Sequence, residues 1–394
     1  LLEFNRFSSS FIFILQSLLL SLILFFSSKH AIYFFVFFEV SFIFIFLMIM
    51  LWGYNPERID ALNYFIIYSL IGSVPLLIII IFVQSSCILS CSLFWEKAHN
   101  LIIGFSIEDI SERVLTGVFV FFSQHFNIFM WILVFLIKFP IFGLHLWLPK
   151  AHVESPVYGS MLLAGILIKL GVLGIFRFIY SIHPLYCNPK LIGSIFFYTC
   201  IGLIIMNFVC SRQWDLKAFV AYSSVVHMSL IIFSIWSGSY ISVLGCCLLS
   251  FSHGICSSSL FLNVNNFYSI SGSRSLYLNR GYIYMHSCLC LFWFLLCSTN
   301  CALPLSLNFF SEIFLIFSGV YLNFSSLVIF FFNIFFCGLY CMFLYLYVSH
   351  GKSNVSLNYN GNFVLEYTNL LILCYHFFLV YFYFSVINVF SVVV

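Results

Sequence analysis

The chain has 394 residues, of which 63% are hydrophobic and only 7% are charged, and its formal net charge at pH 7 is +3. A mean hydropathy of +1.13 lies well outside the usual range of soluble globular domains, so the composition excludes that class of protein. The few charges form no basic stripe and no acidic tail. Nothing in the sequence therefore suggests a nucleic acid as a partner.

Apolar runs long enough to cross a bilayer follow one another along most of the chain, separated by short polar breaks. They predict an all-α, polytopic membrane protein with about eleven transmembrane helices. In chain order, the predicted helices lie near residues 9–27, 31–52, 62–84, 114–147 with a break, 156–180, 190–210, 217–236, 241–264, 283–319 with a break, 325–349 and 368–390. The charged stretch 95–113 is predicted to be a solvated connection, with a surface amphipathic helix as the alternative.

Two segments are too long for one simple span and contain proline near the middle: residues 117–147, around Pro140, and residues 282–317, around Pro304. Proline has no N–H to offer the carbonyl four residues earlier, so we expect broken helices that free the carbonyls of Leu136 and Asn300. Such backbone is tolerated at membrane depth only beside protein or water, and it often lines an ion pathway. A merely kinked structural helix is the alternative.

Four charged residues lie well inside apolar runs, namely Glu39, Lys138, Lys169 and Glu312. A charge at the bilayer centre costs at least ~2.5–3.5 kcal/mol, so such residues normally face an interior path, pair with one another or titrate. We expect Glu39 to pair with Lys138, which directly precedes the break at Pro140. Lys169 is the candidate central relay and Glu312 the candidate terminal site of a proton path. Static ion pairs are the structural alternative.

Two histidines lie in predicted helices that are rich in hydroxyl groups, His253 in LLSFSHGICSS and His227 in AYSSVVHMSL. Histidine titrates near neutral pH and can pass a proton between other groups. Because a lone histidine in a helix is often a hydrogen-bonded core residue, both interpretations stay open, and His253 is the stronger candidate. His145 and His152, in the linker GLHLWLPKAHVESP, lack the helical spacing of paired metal ligands, and we expect no metal there.

The 15 cysteines raise the question of disulfides or metal binding. Most of them, such as Cys246, Cys247, Cys290 and Cys337, lie inside apolar runs, where a thiol behaves as a small hydrophobe. No CxxC pair has a second pair at the spacing of metal ligands. No haem, flavin or iron–sulfur motif is visible either, so we expect no cofactor in this chain.

Residues 138–171, KFPIFGLHLWLPKAHVESPVYGSMLLAGILIKLG, closely resemble a signature of subunit 4 of the mitochondrial proton-pumping NADH:ubiquinone oxidoreductase, complex I. Residues 37–78, QWDLKAFVAYSSVVHMS at 213–229, SHGICSSSLF at 252–261 and ALPLSLNFFSE at 302–312 follow in the family's order. The resemblance extends from about residue 15 to residue 350. The abundance of Phe (54) and Tyr (23) beside 8 Pro is typical of an AT-rich organelle genome and agrees with it.

The resemblance implies an antiporter-like fold with two inverted five-helix repeats. They would occupy residues 1–180 and 181–350, and residues 351–394 would form a C-terminal loop and a last helix. By position, Glu39 matches the family's fifth-helix glutamate, Lys138 the lysine at the seventh-helix break, Lys169 the eighth-helix lysine and Glu312 the twelfth-helix glutamate. His253 matches the histidine region of the eleventh helix. These matches imply a proton path through the two repeats.

The resemblance further implies a place in the mitochondrial inner membrane beside other membrane-arm subunits, including neighbouring antiporter-like ones, and lipids such as cardiolipin. NAD, FMN, iron–sulfur clusters and ubiquinone would be bound by other subunits. Three N-terminal helices of the family have no counterpart in this sequence. The alternatives for these helices are a separate polypeptide that supplies them, their outright loss, and a beginning that is missing from the sequence given, and the non-methionine Leu1 fits an unusual start or a missing beginning. The alternatives are a cation/proton antiporter without redox coupling, a purely structural membrane subunit and, more weakly, a quinone-binding protein.

Overall fold

The computed structural model of the chain describes residues 9–28, 30–86, 132–181, 189–352 and 367–381. Helices dominate these ranges, where the one pairing of β type is an isolated bridge between Asp215 and Ser275. The all-α fold class is therefore confirmed. The predicted helical residues 114–131 and the connection 95–113 lie outside the described ranges.

The first helices are α1 (Ser9–Ser27), α2 (Ala31–Trp52) and α3 (Arg58–Ser86). After a short helical stretch at residues 132–138 come α4 (Trp147–Glu154), α5 (Val157–Leu162), a π-helical turn (Leu163–Leu167) and α6 (Ile168–Ser181). The remaining helices are α7 (Pro189–Ser211), α8 (Leu216–Ile235), α9 (Tyr240–Ser271), α10 (Tyr282–Met285), α11 (Ser287–Asn300), α12 (Leu307–Leu322), α13 (Ser326–Ser349) and α14 (Tyr367–Tyr381).

Many of these helices have the length and composition of membrane spans. In the described part of the chain, 8 helical segments are long and apolar enough to cross a bilayer, and the apolar helices Ser287–Asn300, Leu307–Leu322 and Thr368–Tyr381 are shorter. Exposed side chains on α1, α2 and α3 are largely apolar, as expected where the surrounding solvent is lipid. The chain is thus a multi-pass membrane protein.

Two compact units divide the chain. The first consists of residues Leu1–Pro140 and Leu167–Gly193, and the second of Ile141–Ile166 and Ser194–Val394. This division follows packing, which is a different property from internal symmetry. The repeat boundaries near residues 180 and 350 therefore stay a prediction.

In the first unit, aromatic rings join α1, α2 and the stretch 132–138. The Phe25 ring lies 4.5 Å from that of Phe34 between ring centroids, and Phe38 lies 6.2 Å from Phe135 in an edge-to-face arrangement. At Gly174 of α6, a Cβ atom would overlap the Phe135 ring, so glycine is what lets this ring lie against the helix. The close packing brings the end of the stretch 132–138, with Lys138, next to α2.

The second unit is built around α8, whose side chains are buried on nearly all sides. It packs against α9, which in turn contacts α11, α12 and α14. Its first turn is capped by Asp215, whose carboxylate accepts a hydrogen bond from the Lys217 backbone N–H at 2.9 Å. Because α8 is buried on nearly all sides, its serine and histidine side chains meet protein partners instead of lipid.

Both predicted helix breaks are present in the backbone. The helical stretch 132–138 ends in turns that contain Pro140 and continue to the start of α4. Within these turns Gly143 adopts a left-handed φ of 84°. The second break separates α11 from α12 around Pro304, and here Ala302 and Leu305 have positive φ angles of 56° and 78°. Such angles are unfavourable for side chains other than glycine, so the second break is locally strained.

The linker after Pro140 holds a helix that the sequence did not predict, α4. An ion network fixes its end within the second unit. The Arg274 guanidinium lies 3.7 Å from the Glu154 carboxylate and 3.9 Å from that of Asp215, and it donates to the Val153 carbonyl at 2.6 Å. The Lys217 ammonium donates to the Ser155 carbonyl at 3.2 Å. These contacts satisfy carbonyls at the end of α4 and hold it against the start of α8.

We predict that Arg274→Met lowers the thermal stability of the detergent-solubilised protein. The substitution leaves the Glu154 carboxylate, only 3% exposed, without this cation, and removing one partner of a buried pair costs about 3–5 kcal/mol. Arg212→Met is the matched control, because Arg212 is exposed on the surface. Equal melting temperatures of the two variants would show that the network contributes little.

Candidate functional site

The first unit contains a buried acid–base pair. The Lys138 ammonium lies 3.6 Å from a carboxylate oxygen of Glu39, and the two side chains are 2% and 23% exposed. Glu39 lies in the middle of α2, and Lys138 ends the stretch 132–138 directly before the break at Pro140. The structure thus brings together the two residues that the sequence predicted to pair. Such a pair keeps both charges away from lipid while leaving each able to exchange a proton.

Aromatic rings that are not among the predicted site residues complete this pair. The Lys138 ammonium lies 3.1 Å above the centroid of the Phe42 ring and 5.0 Å from that of Phe38. Phe42 follows Glu39 by three positions on α2, so both side chains lie on the same face of the helix. A cation over an aromatic face is stabilised by ~2 kcal/mol when it is desolvated. The i,i+3 spacing of Glu39 and Phe42 was the available signal.

Lys169 is the second residue of α6, immediately after the π-helical turn Leu163–Leu167. Its side chain is half-buried. Two residues further on, a Cβ atom at Gly171 would lie 2.9 Å from the Cβ of Phe139, so the chain beside Pro140 packs directly on this helix. Single π-turns are frequent at functional sites, because they shift the side chains that follow relative to the rest of the helix.

The second unit contains another acid–base pair. The Nδ1 atom of His227, on α8, lies 3.4 Å from a carboxylate oxygen of Glu312, on α12, and the side chains are 0% and 10% exposed. The ring of His253, on α9, lies 5.3 Å from that of His227 between centroids. Of the two histidines, the sequence favours His253 as the candidate. In the structure it is His227 that lies against the glutamate, with His253 beside it.

Side chains from neighbouring helices satisfy the carbonyls at the end of α11, where the second break begins. The Cys337 thiol donates to the Asn300 carbonyl at 3.5 Å, and the Asn308 amide donates to the Thr299 carbonyl at 2.8 Å. The expectation that Asn300 loses its helical partner therefore holds. Cys337 lies in the hydrophobic core, as expected of a small hydrophobe, and its thiol makes polar contacts in addition. Cys337 also accepts a hydrogen bond from the Tyr340 hydroxyl at 3.1 Å.

The two linker histidines have separate surroundings. His145 accepts a hydrogen bond from the Gly143 backbone N–H at 3.2 Å, whereas the His152 ring stacks on Phe261 at 4.6 Å between centroids. In the part of the chain that the structure describes, no group of three or more His, Cys, Asp or Glu side chains is arranged to hold a metal ion.

Interrupted spans with buried acid–base pairs beside them define a class, the antiporter-like membrane proteins that move ions along polar groups inside a helix bundle. The profile of the family described as "NADH:quinone oxidoreductase/Mrp antiporter, TM" matches residues 28–337. The match covers most of the chain and includes all the site residues above. The chain belongs to this family.

Relatives that carry a name show which member of this family the chain resembles. NADH-ubiquinone oxidoreductase chain 4 of Ceratitis capitata is 36% identical over 371 residues, which are 93% of this chain and 77% of the relative. The protein of the same name from Locusta migratoria is 40% identical over 331 residues, or 83% of this chain and 68% of the relative. The resemblance that the sequence motifs indicated is thereby confirmed.

A solved structure agrees in fold. A chain of the respiratory complex I from Thermus thermophilus with bound NADH matches with a TM-score of 0.75 over 97% of this chain and 77% of that chain. The sequence identity is 22%, so this match supports the fold alone.

We predict that Phe42→Leu destabilises the protein more than Phe42→Tyr does. Leucine removes the aromatic face from the Lys138 ammonium, a loss of ~1–2 kcal/mol, whereas tyrosine keeps that face. Thermal unfolding of the detergent-solubilised protein measures the difference. Phe25→Leu is the control, since Phe25 packs against other phenylalanines. If Leu and Tyr at position 42 destabilise equally, the ring serves only to fill space.

Proposed function

We propose that this chain is a proton-translocating, antiporter-like subunit of NADH:ubiquinone oxidoreductase in the mitochondrial inner membrane. The observation that carries the proposal is the pair of buried acid–base contacts, Glu39 with Lys138 and His227 with Glu312, inside a chain of this family. Membrane proteins rarely place ionisable side chains at such depth without a transport role. The relatives are named as chains of NADH-ubiquinone oxidoreductase, and this is the complex in which we propose that the transport takes place.

In the first unit, the proposed step is a rearrangement of the Glu39–Lys138 pair. Two charges about 4 Å apart interact by ~4 kcal/mol at an effective dielectric of 20, and moving one charge against 100 mV requires ~2.3 kcal/mol. Opening or closing one such pair therefore has the energy scale of proton transfer across an energised membrane. The Phe42 ring gives the ammonium a second favourable contact while the carboxylate moves.

In the second unit, the proposed step is proton exchange between His227 and Glu312. Histidine accepts and releases protons near neutral pH, and from a separation of 3.4 Å a small approach of the carboxylate brings the two groups within range of direct proton transfer. His253, beside His227, is the proposed next member of the path. The order of the proposed proton path, from Glu39–Lys138 to Lys169 and then to the histidines and Glu312, is the one that the family resemblance implies.

In this proposal, the energy of electron transfer is released in other subunits of the complex. Electrons pass from NADH to ubiquinone through NAD, FMN and iron–sulfur sites in other subunits, and this chain contributes no redox centre of its own. Its partners are the other membrane-arm subunits, including neighbouring antiporter-like ones. We further propose that lipid, cardiolipin among others, covers part of its outer surface.

We predict that Glu312→Gln lowers the number of protons pumped per electron. Glutamine has nearly the size of glutamate but cannot take up the proton exchanged with His227. The measurement is the proton-to-electron ratio of membrane vesicles during NADH oxidation, after a native gel with activity staining has located this chain in the NADH dehydrogenase band. Glu57→Gln is the control, because Glu57 is exposed.

An unchanged ratio in the Glu312→Gln variant would rule out the role of the second pair. If the chain instead migrates away from NADH dehydrogenase activity and its proton movement follows a sodium gradient, it works as a cation/proton antiporter without redox coupling.

A second variant addresses the link between the pairs. We predict that Lys169→Met lowers the proton-to-electron ratio at least as much as Glu312→Gln, because methionine fills the space of lysine without a titratable group. Lys150→Met is the control, since Lys150 is exposed. A full ratio in Lys169→Met would remove Lys169 from the path and leave the two pairs as separate sites.

A further inference from the structure

We propose that Asn308 is a positioning residue for Glu312, and that its side-chain oxygen accepts the O–H of the glutamate whenever Glu312 is protonated. The inference rests on the proposed function and deepens it, since it names what holds the proton after its transfer from His227. In that step the Nδ1–H bond of the His227 ring breaks and an O–H bond forms on the Glu312 carboxylate. The new O–H then donates to Asn308.

The second helix break fixes the Asn308 side chain. Asn308 is the second residue of α12 and is fully buried. Its amide nitrogen donates to the carbonyl of Thr299, in the last turn of α11, at 2.8 Å. A reversed amide would set its oxygen against that carbonyl oxygen, which places two acceptors face to face. The nitrogen therefore faces the break, and the side-chain oxygen Oδ1 faces away from it.

Two buried oxygen atoms near the break lack a donor. In the part of the chain that the structure describes, neither Asn308 Oδ1 nor Glu312 Oε1 accepts a hydrogen bond. Oε1 is the carboxylate oxygen that lies 3.4 Å from His227 Nδ1. Inside a bilayer no bulk water replaces a missing donor, so a buried polar atom without one costs free energy. One proton placed between the two oxygens would satisfy both.

Helix geometry places Asn308 and Glu312 on one face of α12. Glu312 follows Asn308 by four positions, and residues at this spacing have Cβ atoms about 5–6 Å apart. Long side chains in a helix lean toward its N-terminal end, so the Glu312 side chain extends over the turn that carries Asn308. An ionised carboxylate and the amide oxygen are both acceptors, whereas a protonated carboxyl group is a donor that matches the amide oxygen.

Protonation therefore decides which neighbour Glu312 binds. The ionised carboxylate is attracted to the protonated His227 ring on α8 and repelled by Asn308 Oδ1. The protonated carboxyl group loses that attraction and donates to Oδ1 instead. Because the same amide is bonded to Thr299, the backbone at the break sets where this acceptor lies. The proton on Glu312 and the second break are then linked through one side chain.

Other titratable groups also surround Glu312, and they bear on any experiment in which pH is changed. They are His227 on α8, Cys301 at the break and Cys337 on α13, with His253 on α9 beside His227 and Tyr381 on α14 bonded to Ser298. A substitution of Asn308 leaves all of these side chains in place. A change in the signal of Glu312 itself is therefore the measurement that reports on the asparagine.

The test is the infrared difference spectrum of the assembled complex between acidic and neutral pH. The C=O stretching band that disappears in Glu312→Gln belongs to protonated Glu312. We expect this band to move to higher wavenumber in Asn308→Leu, because leucine has nearly the size of asparagine but accepts no hydrogen bond from the O–H. The same variant should pump fewer protons per electron, by up to the full loss seen in Glu312→Gln measured in the same vesicles.

Asn207→Leu is the matched control. Asn207, on α7, is as fully buried as Asn308, and its amide donates to the Leu203 carbonyl at 3.0 Å and to Asn333 at 2.9 Å. Leucine there removes a comparable set of buried hydrogen bonds without altering α12. It should leave the Glu312 band and the proton-to-electron ratio unchanged. Equal changes in the two leucine variants would indicate a general structural effect and contradict the inference.

The inference fails if the Glu312 band keeps its position in Asn308→Leu, or if Glu312→Gln removes no band. Pumping distinguishes this failure from a failure of the proposed function. A lowered ratio in Glu312→Gln keeps the proposed function, whereas a normal ratio in that variant overturns it.

Should Asn308→Leu prevent assembly, Asn308→Thr makes the same comparison. A threonine hydroxyl in a helix bonds to a carbonyl of the preceding turn, as the Ser311 hydroxyl does, so it is held against its own helix and does not reach Glu312. We expect the same upward shift of the Glu312 band, and an unshifted band in this variant would contradict the inference.

Discussion

The absence of water from the hydrocarbon core is the constraint on which this structure depends. Every carbonyl freed by a helix break and every charge placed between spans must find its partner within the protein. At the second break the partners are the Cys337 thiol and the Asn308 amide. In the first unit, Lys138 is held by a carboxylate and an aromatic face. The side chains that meet this constraint also form the candidate site, so stability and chemistry involve the same residues.

The two units bury an acid–base pair in different ways, and the difference follows from the base. Lysine carries its charge at neutral pH, and a charge at the bilayer centre costs at least ~2.5–3.5 kcal/mol, so one carboxylate with 23% of its side chain exposed offers incomplete compensation. The Phe42 ring adds a contact of comparable size, ~2 kcal/mol. Histidine can be buried neutral and then has no charge to compensate, and the His227 ring has the ring of His253 beside it at 5.3 Å between centroids.

Much of the fold could be predicted because hydropathy and proline act locally. The bounds of α1 and α2 agree with the predicted helices, and both proline breaks are present. The buried charges stood out because they interrupt apolar runs, and the pairing of Glu39 with Lys138 followed from their scarcity. Which histidine meets Glu312 could not be predicted, since both histidines lie in helices rich in hydroxyl groups and the sequence gives no signal of which face of α8 meets α12.

Other features depend on contacts between distant segments. Cys337 and Asn300 are 37 positions apart, and only the packing of α13 against α11 brings them together. The helix α4 was hidden by the two prolines of its linker, although Pro149 lies in its first turn, where proline is tolerated. The roles of Lys169 and of the repeat boundaries stay predictions, because they concern function and symmetry, which packing alone does not measure.

The length of the ionic contacts bears on how charge could move through this chain. Tight charge-assisted hydrogen bonds have heavy-atom distances of about 2.7–2.9 Å and hold both groups in one geometry. The separations here are 3.6 Å for Glu39 with Lys138 and 3.4 Å for Glu312 with His227. At these distances the Coulombic attraction is largely retained between Glu39 and Lys138, and between Glu312 and His227 whenever the imidazole is protonated, whereas the directional part of a hydrogen bond is weak. Each pair therefore keeps its charges out of lipid without fixing them, and a proton path requires both properties together.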